Sequence, residues 1–338
     1  MYQHVKLEAA IRWKLRESFS RLGPINNRAV RSVFQEFNNN LHRVWSFATL
    51  LPKMMSLGDR YARAAERVAL QATDIERSTP DFTKISQERI HKLVDEEEAE
   101  INADKAAGMD EDRRILKNIE FILGLYGQPK DDGSLHELLA DFDLLFQSIL
   151  INAWSAFEIF AEDLWIAALD NDESHKFAES FCSCLGSQSK SFSFDQLKDA
   201  QFNFDISKKL GSLLSKSEKA KFDSFSSISE NYKKAFGKVQ HDKRFEEIMR
   251  LTKADAANML VLESVRNLLM HRGQMVDSKF IEQIKKATGC PLPAIKRLAE
   301  NDKFMADGEI VKVLLESMVS LAVDLTRLVD EALTSVAG

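Results

Sequence analysis

Apolar side chains recur every three or four positions along most of this sequence, and that period restricts the fold more than any other feature. Ile11, Leu15, Phe19 and Leu22 lie at steps of four, four and three; Val30, Phe34, Phe37, Leu41, Val44 and Trp45 repeat the pattern. The spacing returns at Ile115, Ile119, Ile122 and Leu123, through Leu145, Ile149, Trp154, Phe157, Phe160, Leu164 and Trp165, and from Val311 to Val329. A period near 3.6 lines one face of a helix, whereas a half-buried strand alternates at two. The 13 Gly, 6 Pro and 8 Thr among 338 residues are too few for the frequent turns of a sandwich or barrel. The expected fold class is all-α.

Turn residues divide the pattern. The first helix should end near Gly23-Pro24 and the second before Pro52, and Ser78-Thr79-Pro80-Asp81 reads as a helix start with Pro in the first turn. The acidic run from Asp95 to Glu98 reads as a solvated helix face or loop. The stretch from Gly127 to Ser134 is the best linker, separating a helical N-terminal region over residues 1–130 from a helical bundle over 131–338. In the second half, helices are expected over Leu144–Leu169, Leu210–Leu214, Ile228–Phe236 and Ala254–His271, with a Ser-rich loop over Gly186–Ser191.

The net charge of −6 conceals an uneven distribution: +7 over residues 1–70, −10 over 71–145 and −3 over the remainder. In the basic segment Arg12, Lys14, Arg16, Arg28, Arg31 and Arg43 are interleaved with Trp13, Phe19, Phe34 and Trp45. This suits phosphate contact with base stacking, and equally the polar face of amphipathic helices whose aromatics form a core. Cys182, Cys184 and Cys290 cannot pair completely, which favours a reducing compartment. The first residues lack the apolar core of a signal peptide, and no run approaches the ~20 apolar residues of a membrane span. A cytoplasmic protein without a membrane partner is expected.

Familiar catalytic signatures are absent. There is no phosphate-cradling Gly-rich loop, no HExxH and no G-x-S-x-G. Cys182-Ser183-Cys184 has the wrong spacing for a structural zinc site, and His4, His42, His91, His136, His175 and His241 stand singly among polar neighbours. No metal or cofactor is expected. The exception is Glu263-Ser264-Val265-Arg266-Asn267-Leu268-Leu269-Met270-His271-Arg272-Gly273, which sets a fixed cation, an amide and an imidazole near the end of a mostly apolar helix. Gly273 should stop that helix, leaving His271 in its last turn. On an ideal helix Arg266 and His271 point about 140° apart. With 19 Arg and 7 His, chance supplies about 0.4 Arg–His pairs at any fixed spacing, so the pair alone decides nothing.

Its surroundings add to it. The string from Val265 to Asp277, V-R-N-L-L-M-H-R-G-Q-M-V-D, with Phe280 beyond it, resembles the signature of the HEPN superfamily, nearest its RiboL-PSP-HEPN branch. Trp154, Phe157-Glu158 and Leu164 look like that family's opening helix. Lys209–Leu214, Ser227–Phe236 and Gly308–Val311 continue the likeness, which spans roughly residues 140–335. The resemblance implies a C-terminal helical bundle that forms a homodimer and cuts RNA without a metal. By position Arg266 and His271 match the family's catalytic pair, Asn267 the polar residue after the Arg, and Glu158 the acidic residue of the opening helix. RNA carries its own nucleophile, the 2′-OH. An imidazole can take or return its proton, and a guanidinium can hold a phosphate by two hydrogen bonds. A toxin or anti-phage effector, restrained by an antitoxin or defence-system partner, is the implied setting. The alternative is a non-catalytic helical interaction module in which the Arg–His pair is structural.

Overall fold

The computed structural model describes residues 19, 22–72, 81–106, 134–184, 209–216, 220–236 and 253–336. Among these, regular structure is entirely helical, with one isolated bridge between Met275 and Lys303 and no strand. The chain is all-α. It forms two compact units, one from Met1–Ala10 with Ser46–Phe142 and the other from Ile11–Trp45 with Asp143–Gly338. This division differs from a single cut near residue 130: Ile11–Trp45 groups with Asp143–Gly338.

Helix α1, Arg28–Gln71, contributes to both units and runs through Pro52, where a stop was expected. A proline inside a helix lacks its N–H and crowds the carbonyl one turn back, at a cost of about 3 kcal/mol. The helical repeat carries on beyond it, burying Ala64 and Val68. Helix α2, Phe82–Ala106, opens directly after Asp81, whose carbonyl accepts the Ile85 N–H at 3.0 Å. In this unit the Tyr61 hydroxyl lies 3.3 Å from His91 Nδ1 with the rings edge to face, while Val94 is buried. Asp95, Glu96 and Glu98 project into solvent from α2, as a solvated helix face should. The expected helix around Ile115–Leu123, the 127–133 linker, the 186–191 loop and the segment from Ile11 to Leu15 lie outside the described residues.

The second unit is built on α3, Ser134–Asp170, whose part from Asp143 onward buries Phe146, Ile149, Leu150, Ala153, Trp154, Phe157, Phe160, Leu164 and Trp165. By length and composition that part is apolar enough to cross a membrane, although no such run was expected. Its composition has a source in packing, because neighbours meet it from several sides. Phe160 meets Phe37 of α1 at 4.4 Å between ring centroids. Trp165 packs against Phe181 of α4, Lys176–Cys184, and against Phe222. The Trp165 indole donates to the Asn231 carbonyl at 3.3 Å and the Tyr232 hydroxyl to the Ala161 carbonyl at 2.9 Å. Both partners fix α6, Phe225–Phe236, across α3. The short α5, Leu210–Ser215, is clamped by Asp170, which accepts the Gly211 N–H at 2.6 Å and the Ser212 hydroxyl at 2.8 Å.

Helices α7, Lys253–Arg272, α8, Ser278–Lys286, α9, Pro293–Lys296, and α10, Gly308–Val336, complete the bundle. The Asn258 amide of α7 donates to Ser317 of α10 at 2.8 Å, and Asp255, one turn earlier on α7, takes hydrogen bonds from Ser317 and Ser320. Near the far end of α10, Asp330 accepts the Asn26 and Asn27 N–H groups at 3.0 and 2.7 Å, and Asn27 caps α1 by accepting from Ala29 and Val30.

Candidate functional site

Helix α7 carries three of the four expected site residues. Its core face buries Met259, Leu262, Val265 and Leu268, which fixes the rotation of the helix and so the directions of its polar side chains. Arg266 and Asn267 are half-buried, and His271 is exposed in the last turn. Gly273 follows with φ of +55° and Gln274 with +75°, the left-handed turn that ends the helix where the sequence placed its stop.

That turn is held from three directions. The Gln274 amide donates to Gln147 of α3 at 3.0 Å, and Gln147 donates to Asp143 at 2.6 Å. Asp143 also accepts the Ala306 N–H at 2.8 Å. The Gln274 carbonyl accepts the Phe304 N–H at 2.8 Å, and Val276 exchanges bonds with Asn301 and Asp302. Asp277 caps α8 by accepting from Phe280 N–H at 2.8 Å, while its other oxygen meets Arg272 Nε at 3.1 Å. The Gly, the apolar-Asp pair and Phe280 of the motif are thus accounted for by the turn itself.

Arg266 faces a different region. It donates to Asn267 Oδ1 at 2.9 Å, and its Nε–H is buried without a partner. Glu158 of α3 and Glu263, one turn back on α7, stand close enough to feel its charge, yet among the described residues no carboxylate closes an ion pair with it within 4.0 Å. Burial raises the Glu158 carboxyl above its ordinary value of 4.5, Arg266 opposing and Asp223 and Glu162 adding to the rise. The Trp154 indole N–H, one turn earlier, also favours the ionised Glu158 from outside regular hydrogen-bond geometry. Glu263 is likewise raised by burial, opposed by its bond to the Phe225 N–H at 2.9 Å and by Arg266. Desolvation therefore outweighs the single cation at both carboxylates.

The structure brings Glu158, Arg266 and Asn267 into one neighbourhood and leaves His271 at the end of the helix, about 7.5 Å further along the axis and turned away. No family model, curated protein or solved structure matches the chain. Any functional reading therefore rests on the residues themselves. Glu263 and Asp223 were missed in the sequence. Glu263 sits three residues before Arg266, a spacing that places both on one helix face; nothing in the local sequence marks Asp223. Among the described residues no group of three or more His, Cys, Asp and Glu is arranged to hold a metal ion. Cys182 and Cys184 lie on α4, and His42 and His91 are exposed. The basic segment divides by face: Arg28, Arg31 and Arg43 are exposed, whereas Phe37 packs on Phe160 and Phe34 on Phe19. These rings serve packing.

Proposed function

We propose that this chain is a metal-independent endoribonuclease acting as a homodimer, with Arg266 and His271 as its catalytic pair. The observation that carries the reading is Arg266: a half-buried guanidinium with one hydrogen bond, to Asn267, and no closed ion pair to a described carboxylate. A structural arginine in a bundle is ordinarily locked to a carboxylate; a fork not closed into an ion pair suits an incoming phosphate. His271 takes the 2′-OH proton, the 2′-oxygen attacks phosphorus, the P–O5′ bond breaks, and the leaving 5′-oxygen takes its proton from water. The products are a 2′,3′-cyclic phosphate and a 5′-hydroxyl. Arg266 holds the charge that gathers on the non-bridging oxygens. Asn267 steadies the guanidinium, and Glu158 balances it from α3. Because the two groups diverge on one helix, the reading requires a second copy to complete the site. The setting that fits such an activity is a toxin or anti-phage effector in the cytoplasm, restrained by an antitoxin or defence-system partner.

The second reading, a non-catalytic interaction module, is favoured by the carboxylates around Arg266, which make a charge cluster of the kind bundles bury for structural reasons. Labelled RNA incubated with the protein in EDTA separates the two. Cleavage by the wild type, lost in both His271→Ala and Arg266→Ala while both retain helical circular dichroism, is expected. Equal cleavage by all three overturns the site, and cleavage by none favours the module.

A further inference from the structure

Between α8 and the turn around α9 lies an open cleft of about 360 Å³ with an apolar floor and cationic lips. Phe280, Ile284, Ala287 and Ile295 form the floor and are all at least nine-tenths buried, while Ile281 and Leu298 are half-buried walls. Lys285 and Lys296 stand exposed at the lips, and no carboxylate lines the cleft. Over residues 278–297 the chain has five cations (Lys279, Lys285, Lys286, Lys296 and Arg297) against one carboxylate, Glu282. That stretch sums to +4 on a chain of net charge −6, with Asp277 before it and Glu300 and Asp302 after it, and of its charges only Lys285 and Lys296 line the cleft. Lys285 and Lys286 complement the C-terminal end of α8, which accounts for their place on the helix. It does not account for Lys296 and Arg297 arriving from another element beside the same apolar floor.

We infer that this cleft docks an acidic amphipathic peptide segment of a partner protein, aliphatic anchors on the floor and carboxylates against Lys285 and Lys296. The volume falls within the range that seats a few side chains, and an apolar stripe with charged flanks is the usual grip of a groove on a helix. RNA fits less well. Single strands need exposed rings to stack on, and the one ring here, Phe280, is 3 % exposed at the bottom of the cleft. The cleft is pre-shaped, since Asp277 caps α8 and Arg272 clips Asp277. The inference does not depend on whether the chain cuts RNA.

The test uses the full chain and a fluorescein-labelled helical peptide of about 14 residues, roughly four turns, with Leu on one face and Glu on its flanks. Saturable anisotropy change is expected, weakened by salt, lost when Leu is replaced by Ser in the peptide, and weakened about tenfold or more by the K285E/K296E double variant, which turns two attractions into like-charge repulsions. Leu298→Asp, on the half-buried wall, should abolish binding with helicity unchanged. Absence of saturable binding overturns the proposal, as does equal binding to K285E/K296E. Competition by oligo-uridine that depends on Lys285 and Lys296, with no dependence on the peptide's Leu face, would reassign the cleft to nucleic acid and equally overturn it.

Discussion

Glu263 shows how one side chain can serve two neighbours. Its carboxylate caps α6 through the Phe225 N–H and, held there, stays off Arg266. Its pKa is raised in the folded state, so the folded protein binds more protons than the unfolded chain above the ordinary value of 4.5. Stability then falls as pH rises from that value toward the folded-state pKa. Glu263→Gln keeps an acceptor for Phe225 and removes the titration. Urea midpoints measured across this range should decline less with pH in E263Q than in the wild type, with the variant relatively more stable at the alkaline end. The same comparison for Glu158→Gln should move in the same direction, because burial dominates there too. An unchanged pH slope in both variants would mean that neither carboxylate is desolvated. The place of His271 in the last turn of α7 was legible in the sequence because Gly273 marks the helix stop, whereas its pairing with Arg266 rested on the resemblance and not on spacing. Glu263 was passed over because its role depends on α6, whose N-terminus reaches it across 38 residues of chain.

At the scale of elements, the six-residue α5 is the best example of a motif that turned out to be architecture. Gly211 lies so close to α3 that an added Cβ would sit 2.5 Å from the Ile166 carbonyl oxygen, a backbone atom with little room to yield. Gly211→Ala should cost about 1–3 kcal/mol through overpacking, read as a lower urea midpoint with an unchanged slope. Asp170→Ala should cost a similar amount, about 1–3 kcal/mol, by leaving the Gly211 and Ser212 donors without their acceptor. A helix end was legible where a 3.6 period met the glycine stop at Gly273. They were misjudged at Pro52, where propensity alone argued for an end and the apolar face beyond it overrode the penalty. Helices α8 and α9, of nine and four residues, were not anticipated. Of the aromatic residues that left two uses open in the basic segment, Phe19 and Phe34 pack on each other, while Trp13 and the Trp45 side chain lie outside the described residues.

For the whole molecule, the divergence of Arg266 and His271 along α7 gives the proposed activity a test in trans. Mixing His271→Ala with Arg266→Ala protein, each inactive alone, should restore a measurable fraction of RNA cleavage if a site draws its arginine from one copy and its histidine from another. A site complete within one chain would leave the mixture as dead as its parts. The division into units has a further consequence. The first unit, apart from its opening residues, is written within the second, since Ser46–Phe142 interrupts Ile11–Trp45 and Asp143–Gly338. Asp330 ties down Asn26 and Asn27 over a separation of 304 and 303 residues. A ribosome must therefore release the chain through Asp330 before Asn26 and Asn27 can be fastened, and a nascent chain halted upstream of Asp330 holds an unfinished bundle. For a protein proposed to attack RNA, that order of assembly withholds a competent fold until Asp330 has been synthesised.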